Sequence, residues 1–544
     1  MAVQGVTRSP ALGQKGMVCS ASPLAASAGI NILLQGGNAF DAAIAVAAAE
    51  TVTIPTSCGL GGDTFAILYH ADSGRVIGLN GSGGAPSGAT PDLFRSQGHS
   101  KMPLRGPLSI TVPGEVAAWE TLHQGYCTLP MGQLLSPAIG YARDGHPLLP
   151  SCAPSFGASL DLLTRHSSTR SAMTRGGEPY GPGDVIVLGD MARSLERVAQ
   201  GGAQEFYRGS LASEIVAALQ EAGAPFTLED FAGHQTEVYE PPISTTYRGH
   251  AVYQTRPPSQ GLVHLSMLNL MSGYDLASLG PNSPQAVHLM VESKKLAFED
   301  RNQHAGDPRF VDWPLDMLVS MEHADLRRGL IDPLRVREDA PAMVPAERSG
   351  DTTYFCVADG DGNAISFIHS LSNRFGSGFI AGSTGILLNN RGGRGFSLEE
   401  GHPNLVGPGR RTMHTLNCYM VFDGAQPLVI GGTPGGDFQV QVNAQIVSNI
   451  LDHGMPPQEA VDAPRWASYP GSDPATIEAP LEFCPEPGFP EETSQALERM
   501  GHSVVYPSGR GGMLGKVQLI VRDNSRGVLI GASDPRGDGH AAAL

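Results

Sequence analysis

The feature that most constrains this fold is a hairpin pattern near the middle of the chain. Residues 352–358 alternate in side-chain size and character with a period of two, which is typical of a strand whose two faces meet different surroundings. Residues 359–363 (Asp-Gly-Asp-Gly-Asn) form a turn signal, and residues 364–370 return as a second apolar strand. The pattern predicts an antiparallel hairpin that Thr352 opens.

A threonine at the head of a strand can carry a particular chemistry. If the peptide bond before Thr352 is cut, one residue holds both a hydroxyl and a free α-amine, and the amine can take the hydroxyl proton. The polar, proline-bearing segment 332–350 ends just before this point and is predicted to be an exposed linker. The ordinary alternative is that Thr352 and Thr353 only begin a strand, and the rest of the chain must decide between the two.

Composition excludes several classes of function. The 544 residues carry a formal net charge of −17 without a long run of one sign, which argues against nucleic acid and anionic membranes as partners. The longest wholly apolar run, residues 42–49, is too short to span a bilayer, and no signal-peptide pattern opens the chain. Seven scattered cysteines without a CxxC pair indicate free thiols and predict a cytoplasmic location.

Motifs for cofactors and metals are missing from the sequence. There is no GxGxxG, no P-loop, no GxSxG and no HExxH spacing, so we expect neither a cofactor nor a metal. A strand over 429–432, a Gly435-Gly436 pair and a helix from 438 instead form an arrangement that can aim backbone N–H groups at developing negative charge. Taken alone, this arrangement could equally be a plain strand–helix turn.

Helical patterns flank the hairpin on both sides. Residues 22–49 read as two helices, the second capped by Asn38 or Asp41, and its alanines imply close packing. A long helix over 283–301 is predicted to carry Arg301 and other charged residues on a polar face.

Several segments together resemble the γ-glutamyltransferase family of N-terminal-nucleophile hydrolases. The resemblance covers most of the chain and depends on the order and spacing of the segments, since none is decisive alone. The matching segments are residues 16–18, 35–43, 59–62, 112–114, 297–301, 306–308, 351–353, 435–436 and 534–536.

This resemblance implies a proenzyme with a four-layer αββα fold (class α/β, α+β) that cuts itself between Asp351 and Thr352. The products would be a large fragment, 1–351, and a small one, 352–544, which stay associated and form one domain. The resemblance implies the following catalytic residues: Thr352 as nucleophile and base, Thr353, Ser370 as a nearby hydroxyl, and Gly435 and Gly436 as the oxyanion hole. Oligomeric state stays open, a homodimer of the two-fragment unit being one option.

Departures from the family pattern indicate the substrate. Family members that bind glutamate use an arginine where this chain has Ser82, and they hold the α-ammonium with Asn, Gln and Asp. The corresponding positions here are Ser372, Arg391 and Arg394, and the family's Ser-Ser pair becomes His414-Thr415. Two arginines repel an ammonium and attract an anion. The alternative is that both arginines point to solvent from a glycine-rich loop.

The sequence therefore predicts a threonine amidohydrolase that acts on a small amide whose acyl group carries a carboxylate. An oxamate-like compound and a dicarboxylic monoamide both fit, with Arg374, Arg391, Arg394 and His414 as anion contacts and Ser372 and Thr415 beside them. Two alternatives remain open: a γ-glutamyltransferase or glutathione hydrolase, and an unprocessed binding protein without catalytic activity.

Overall fold

The computed structural model describes residues 8–337, 352–470, 481–506 and 514–544. Within these ranges short strands alternate with helices, and both are numbered in chain order. The strands are β1 Ala11–Gly13, β2 Gly16–Ser20, β3 Asp63–His70, β4 Arg75–Gly81, β5 His146–Pro147, β6 Val185–Ile186, β7 Glu237–Tyr239, β8 Ile243–Tyr247, β9 His250–Gln254, β10 Thr353–Asp359, β11 Ala364–Ser370, β12 Tyr419–Asp423, β13 Gln426–Gly432, β14 Trp466–Tyr469, β15 Glu482–Pro485, β16 Gln518–Asp523, β17 Val528–Ser533 and β18 His540–Ala543.

The helices lie mainly before β10, with a second group after β13. They are α1 Pro23–Leu34, α2 Ala39–Thr53, α3 Pro91–Ser96, α4 Glu115–Tyr126, α5 Met131–Asp144, α6 Ala153–Ala158, α7 Leu160–Leu163, α8 Ser167–Met173, α9 Gly189–Arg208, α10 Ser210–Glu221, α11 Leu228–Ala232, α12 Gly261–Met271, α13 Leu276–Leu279, α14 Pro284–His304, α15 Leu315–Leu318, α16 Met321–Arg328, α17 Arg391–Gly395, α18 Phe438–Leu451, α19 Pro457–Asp462 and α20 Glu491–Arg499. Short 3₁₀ turns occur at Ala71–Ser73 and Pro107–Ser109. None of the helices in the described ranges has both the length and the apolar character that crossing a membrane requires.

Two antiparallel sheets form the centre of the molecule. One has the strand order β1-β17-β16-β13-β12-β9-β8 and the other β18-β2-β10-β11-β3-β4-β7. The predicted hairpin is confirmed: β10 pairs with β11 from Thr353–His369 to Ala358–Ala364. The hairpin lies in the interior of its sheet, because β10 also pairs with β2 and β11 with β3.

Side-chain alternation along β10 separates the layers. Tyr354 and Cys356 point into a core between the two sheets, where they meet residues such as Met420 and Ile520 of the facing sheet. The intervening Phe355 packs on the other face among the helices α1, α2, α4 and α5. A third core joins the opposite sheet to α12, α14 and α18. The four layers are thus helix, sheet, sheet and helix, which confirms the predicted αββα sandwich.

Helix α2 supports the sheet directly beneath this hairpin. Asn38 caps its N-terminus in a capping box with Asp41. Of the two predicted caps, Asn38 is therefore the residue at the N-cap position. Every residue of α2 is buried, so the alanines allow the helix to pack closely on several sides at once. One of these buried residues is Glu50. A fully enclosed helix tolerates such a charge only where the charge has partners.

The polar face predicted for the long helix is wrong in one respect. In α14, Lys294 and Arg301 are buried, while Glu299 is the more accessible of the charged residues. The reason is long-range: Arg301 pairs with Asp437 at 2.9 Å, and Lys294 donates to the Pro470 carbonyl at 2.6 Å. Helical spacing alone does not indicate which polar face has buried partners.

The Asp534-Pro535-Arg536 segment anchors the end of β17. Asp534 is fully buried and lies 2.7 Å from Arg465 and 3.1 Å from Arg536. Burial acts to raise the pKa of Asp534, but the two guanidinium groups outweigh it and hold the pKa below its ordinary value.

Replacing Asp534 with asparagine should cost about 3–5 kcal/mol of unfolding free energy, because Arg465 then remains buried beside a neutral amide. Since the folded-state pKa is lowered, the wild-type advantage is complete above the ordinary carboxyl pKa of about 4 and disappears as the pH falls below it. Urea unfolding at several pH values measures both effects.

The matched control is Asp144→Asn, which alters an exposed pair with Arg143 and should leave the unfolding midpoint unchanged. Equal behaviour of the two variants would contradict the anchoring role of Asp534.

Candidate active site

Thr352 lies where the sequence predicts it, immediately before β10. Its side chain is buried, and its Oγ1 donates a hydrogen bond of 3.1 Å to Oγ of Ser370 at the end of β11. The Ser370 hydroxyl also accepts from the Ser372 amide at 2.8 Å. Because the hairpin register fixes both strand ends, Thr352 and Ser370 are held together by backbone pairing as well as by this bond.

Thr353 points to the opposite face of the same sheet. Its Oγ1 donates to Oε2 of Glu50 at 2.9 Å. Successive residues of a strand face opposite sides, so the hydroxyls of Thr352 and Thr353 cannot serve the same pocket. The contact with Glu50 indicates that Thr353 helps to fix the position of β10 against α2.

A buried set of charges surrounds this contact. His369 donates from Nε2 to Glu50 and from Nδ1 to Glu115, each at 2.9 Å, and all three side chains are fully buried. Trp119 Nε1 donates to the same Glu115 oxygen at 2.9 Å. These residues join α2, α4 and the hairpin on the face of the sheet opposite to the Thr352 hydroxyl.

The protonation of this set follows from its geometry. Burial alone would lower the pKa of His369, but its contacts with Cys58 and Glu115 raise the pKa well above the ordinary value. Burial raises the pKa of Glu115, with His369 opposing it. His369 is therefore an imidazolium ion that donates from both nitrogens. Atoms of Glu50, Cys58 and His369 lie within 4.8 Å of one another, and both ring nitrogens of His369 already contact carboxylates.

Ser372 has a strained backbone, with φ of +87°. This conformation costs a non-glycine residue about 1–3 kcal/mol and persists where surrounding contacts enforce it. Here the Ser372 amide donates to Ser370, and its carbonyl accepts from Nη1 of Arg394 at 3.1 Å. The strained residue therefore lies between Ser370, the hydrogen-bond partner of Thr352, and Arg394, a predicted anion contact.

The two arginines predicted at the substrate site are both buried. Arg391 and Arg394 lie on the short helix α17, and the alternative that placed them in solvent is wrong. Arg391 Nε contacts Oδ2 of Asp63 at 3.2 Å. Burial raises the pKa of Asp63 to about 6, against the opposing effects of Arg391 and the Gly83 amide. Arg374, by contrast, is exposed.

Three further predicted residues present buried polar atoms without partners among the described residues. They are Ser372 Oγ, Thr415 Oγ1 and both ring nitrogens of His414. Burial, together with the neighbouring Arg391, Arg411 and Arg394, holds the pKa of His414 well below its ordinary value, so the ring is neutral. Buried polar groups of this kind require a partner, which a bound substrate or water can supply.

The Gly435-Gly436 turn connects β13 to α18. Both glycines have positive φ, +135° and +57°, a combination that side-chain-bearing residues rarely adopt. Their carbonyls accept from Phe438 N at 3.0 Å and Gln439 N at 3.2 Å. Because a trans peptide points its N–H opposite to its carbonyl, the Gly436 amide is directed away from the helix. Neither glycine amide donates to an acceptor in the described part of the chain.

Sequence reasoning missed several buried polar residues around the candidate site, among them a glutamine whose amide donates to the carbonyls of Thr415 and Gly436. Glu50, Asp63, Glu115, His369 and Gln260 lie far apart in the chain, and no short motif contains them. One signal was available: Glu50 is the single acid within the alanine-rich residues 42–53, and such a charge needs a buried partner.

The fold and these residues define an αββα hydrolase with a threonine at the head of a strand. Residues 25–544 match the family model described as gamma-glutamyltranspeptidase. The chain therefore belongs to the gamma-glutamyltranspeptidase family.

Individual relatives match over almost the whole length. The glutathione hydrolase-like YwrD proenzyme of Bacillus subtilis (strain 168) is 38% identical over 98% of this chain and 99% of its own. The oxamate amidohydrolase proenzyme of Klebsiella pneumoniae is 32% identical, over 97% and 98%. A crystal structure of cephalosporin acylase from Bacillus halodurans superposes with a TM-score of 0.90 at 37% identity, covering 99% of this chain and 97% of that one.

The position of Thr353 leads to a testable separation of roles. Thr353→Val removes the hydrogen bond to a buried carboxylate and should lower the unfolding free energy by about 1.5–3 kcal/mol. The predicted cleavage before Thr352 should still go to completion in this variant, because the lost hydroxyl faces the helices.

Chemical denaturation and a denaturing gel measure the two effects, and Thr353→Ser, which keeps the hydroxyl, is the control. Loss of cleavage in Thr353→Val at unchanged stability would show that this hydroxyl takes part in the chemistry.

Proposed function

We propose that this amidohydrolase is made as a proenzyme, cuts itself between Asp351 and Thr352, and uses the new N-terminal threonine as its nucleophile. The observation that carries the proposal is the hydrogen bond that the buried Thr352 hydroxyl donates to Ser370 at the head of the hairpin. Asp351 itself lies outside the described residues. Cleavage would free the Thr352 α-amine, which can accept the proton of its own hydroxyl.

Turnover would then proceed through an acyl-enzyme. Thr352 Oγ1 attacks the substrate carbonyl, and the resulting oxyanion accepts hydrogen bonds from the amides of Gly435 and Gly436. The amine product leaves with the proton that the α-amine has taken up. Water, activated by the same amine, hydrolyses the ester and restores Thr352.

The proposed fragments 1–351 and 352–544 would stay together because their strands interleave. In one sheet, β10 and β11 of the small fragment lie between β2 and β3 of the large one. In the other, β12 pairs with β9 across the same division. Separating the fragments would expose paired edges within both sheets, which favours a permanent association.

The substrate proposed for this site is an amide whose acyl group carries a carboxylate. Arg391 and Arg394 are buried cations, and Ser372, Thr415 and neutral His414 offer polar atoms that have no partner among the described residues. A carboxylate can accept hydrogen bonds from all of these groups. Relatives named oxamate amidohydrolase and cephalosporin acylase are consistent with this proposal.

A γ-glutamyl substrate would also need a partner for its ammonium. The carboxylate beside the arginines, Asp63, already contacts Arg391 and accepts from the Gly83 amide at 3.2 Å. An ammonium placed here would approach two guanidinium groups, and a single carboxylate that is already paired with Arg391 offers it little compensation. We therefore place γ-glutamyl transfer second, although relatives named glutathione hydrolase are among the matches.

A substrate panel tests this order directly. The purified, processed protein should hydrolyse oxamate or a glutaryl anilide with a kcat/KM at least about 100-fold above that of a neutral acetyl anilide, because an unfilled polar site rejects the neutral analogue. The γ-glutamyl anilide should be the poorer of the carboxylated anilides. A preference for γ-glutamyl anilide would contradict the proposed substrate class.

Arg394→Gln gives the second arm of this test. Loss of one charge-assisted contact should raise KM for the carboxylated amide about 10- to 100-fold and leave the neutral amide unaffected. Arg374→Gln, which alters an exposed arginine, should change neither value, and a larger effect from Arg374 would place the anion elsewhere.

A further inference from the structure

Gln260 joins two loops of the active site through its side chain. Its Nε2 donates to the Gly436 carbonyl at 3.0 Å and to the Thr415 carbonyl at 2.7 Å. Its backbone amide donates to the carbonyl of His414 at 2.9 Å. The side chain is buried, so these contacts are shielded from water.

Arg301 fixes the orientation of this amide group. Its Nη1 donates to Oε1 of Gln260 and contacts Oδ1 of Asp437 at 2.9 Å. Since a guanidinium can only donate, Oε1 must face Arg301, and Nε2 must face the two carbonyls. The Arg301 guanidinium also lies 4.0 Å over the Phe298 ring, and the side chain is fully buried.

The Gly435-Gly436 turn needs such an external support. Glycine gives these positions the freedom to adopt positive φ, and the same freedom lets the turn take other conformations. Hydrogen bonds from α18 hold the two carbonyls, and Gln260 and Arg301 add contacts to Gly436 and Asp437 from the side of α12 and α14. A donor aimed at an oxyanion loses most of its effect when its direction changes.

We infer that Gln260, oriented by Arg301, is a positioning residue that holds the oxyanion turn, Gly435–Asp437, in register with the substrate loop, His414–Thr415. This inference rests on the proposed function, because it assigns Gln260 a role in that reaction. Gln260 touches no reacting atom. It sets the separation between the donors that meet the oxyanion and the groups that hold the substrate's carboxylate.

Gln260→Met tests the inference, since methionine keeps the length of the side chain and removes its amide. The matched control is Gln445→Met. Gln445 is also buried and bridges two carbonyls, those of Gln441 and Trp466, but it does so at a later turn of α18. Both variants should be processed into two fragments.

Two ligands separate a positioning role from a structural one. A boronic acid with the acyl side chain of the best substrate forms a tetrahedral adduct on Thr352, whereas the dicarboxylate product has no tetrahedral centre and depends mainly on the contacts of the substrate loop. For Gln260→Met we expect kcat and boronate affinity to fall at least about 30-fold, a partial loss of oxyanion stabilisation. Product affinity should change by less than about fivefold, because such a change is smaller than the loss of one charged hydrogen bond would cause.

Arg301→Lys supplies a second variant if Gln260→Met folds poorly. It keeps a cation beside Asp437 but lacks the planar fork that orients Gln260, so boronate affinity should again fall more than product affinity. Equal losses of both ligands, or the same losses in Gln445→Met, would overturn the inference. Absence of activity or cleavage in the wild type would instead refute the proposed function, so the two failures are distinguishable.

Discussion

The two-residue period of β10 determines what each side chain near the predicted cleavage site can contact. Thr352 faces the layer between the sheets, where its hydroxyl donates a hydrogen bond to Ser370. Thr353 faces the helices, where its hydroxyl donates to Glu50. The register between β10 and β11 places His369 on the face of Thr353 and Ser370 on the face of Thr352. A slip of one residue would exchange the two environments and place the predicted nucleophile among buried carboxylates.

The hairpin separates two buried charge systems of different composition. On the helix side, the imidazolium of His369 lies between Glu50 and Glu115. On the other side, Arg391 and Arg394 are accompanied by neutral His414 and by Asp63, whose pKa burial raises to about 6. Buried charges are tolerated only with partners. In the first system both ring nitrogens of His369 contact carboxylates, and only Oε2 of Glu115 has no hydrogen-bond partner among the described residues. The second has polar atoms without partners among the described residues and is suited to a charged ligand.

Local patterns in the sequence predicted the parts of the structure that local physics determines. Alternation predicted the hairpin, the two candidate caps Asn38 and Asp41 predicted the start of α2, and the strand–glycine–helix order predicted the turn at Gly435. The contacts of Arg301 with Asp437, of Glu50 with Thr353 and of Gln260 with Gly436 could not be predicted in this way. Each joins residues more than 100 positions apart, which only the packed layers bring together. For the same reason, the sequence left open whether Arg391 and Arg394 face solvent, and their burial answers that question.

The central claim is that residue 352 becomes an N-terminus and that its own amine activates its hydroxyl. Intact-mass analysis of the purified protein, combined with N-terminal sequencing of the smaller species, tests it most directly. The account predicts two species, the smaller beginning Thr-Thr-Tyr and ending at Leu544. A single uncut chain of 57.0 kDa that still hydrolyses amides at full rate would contradict it.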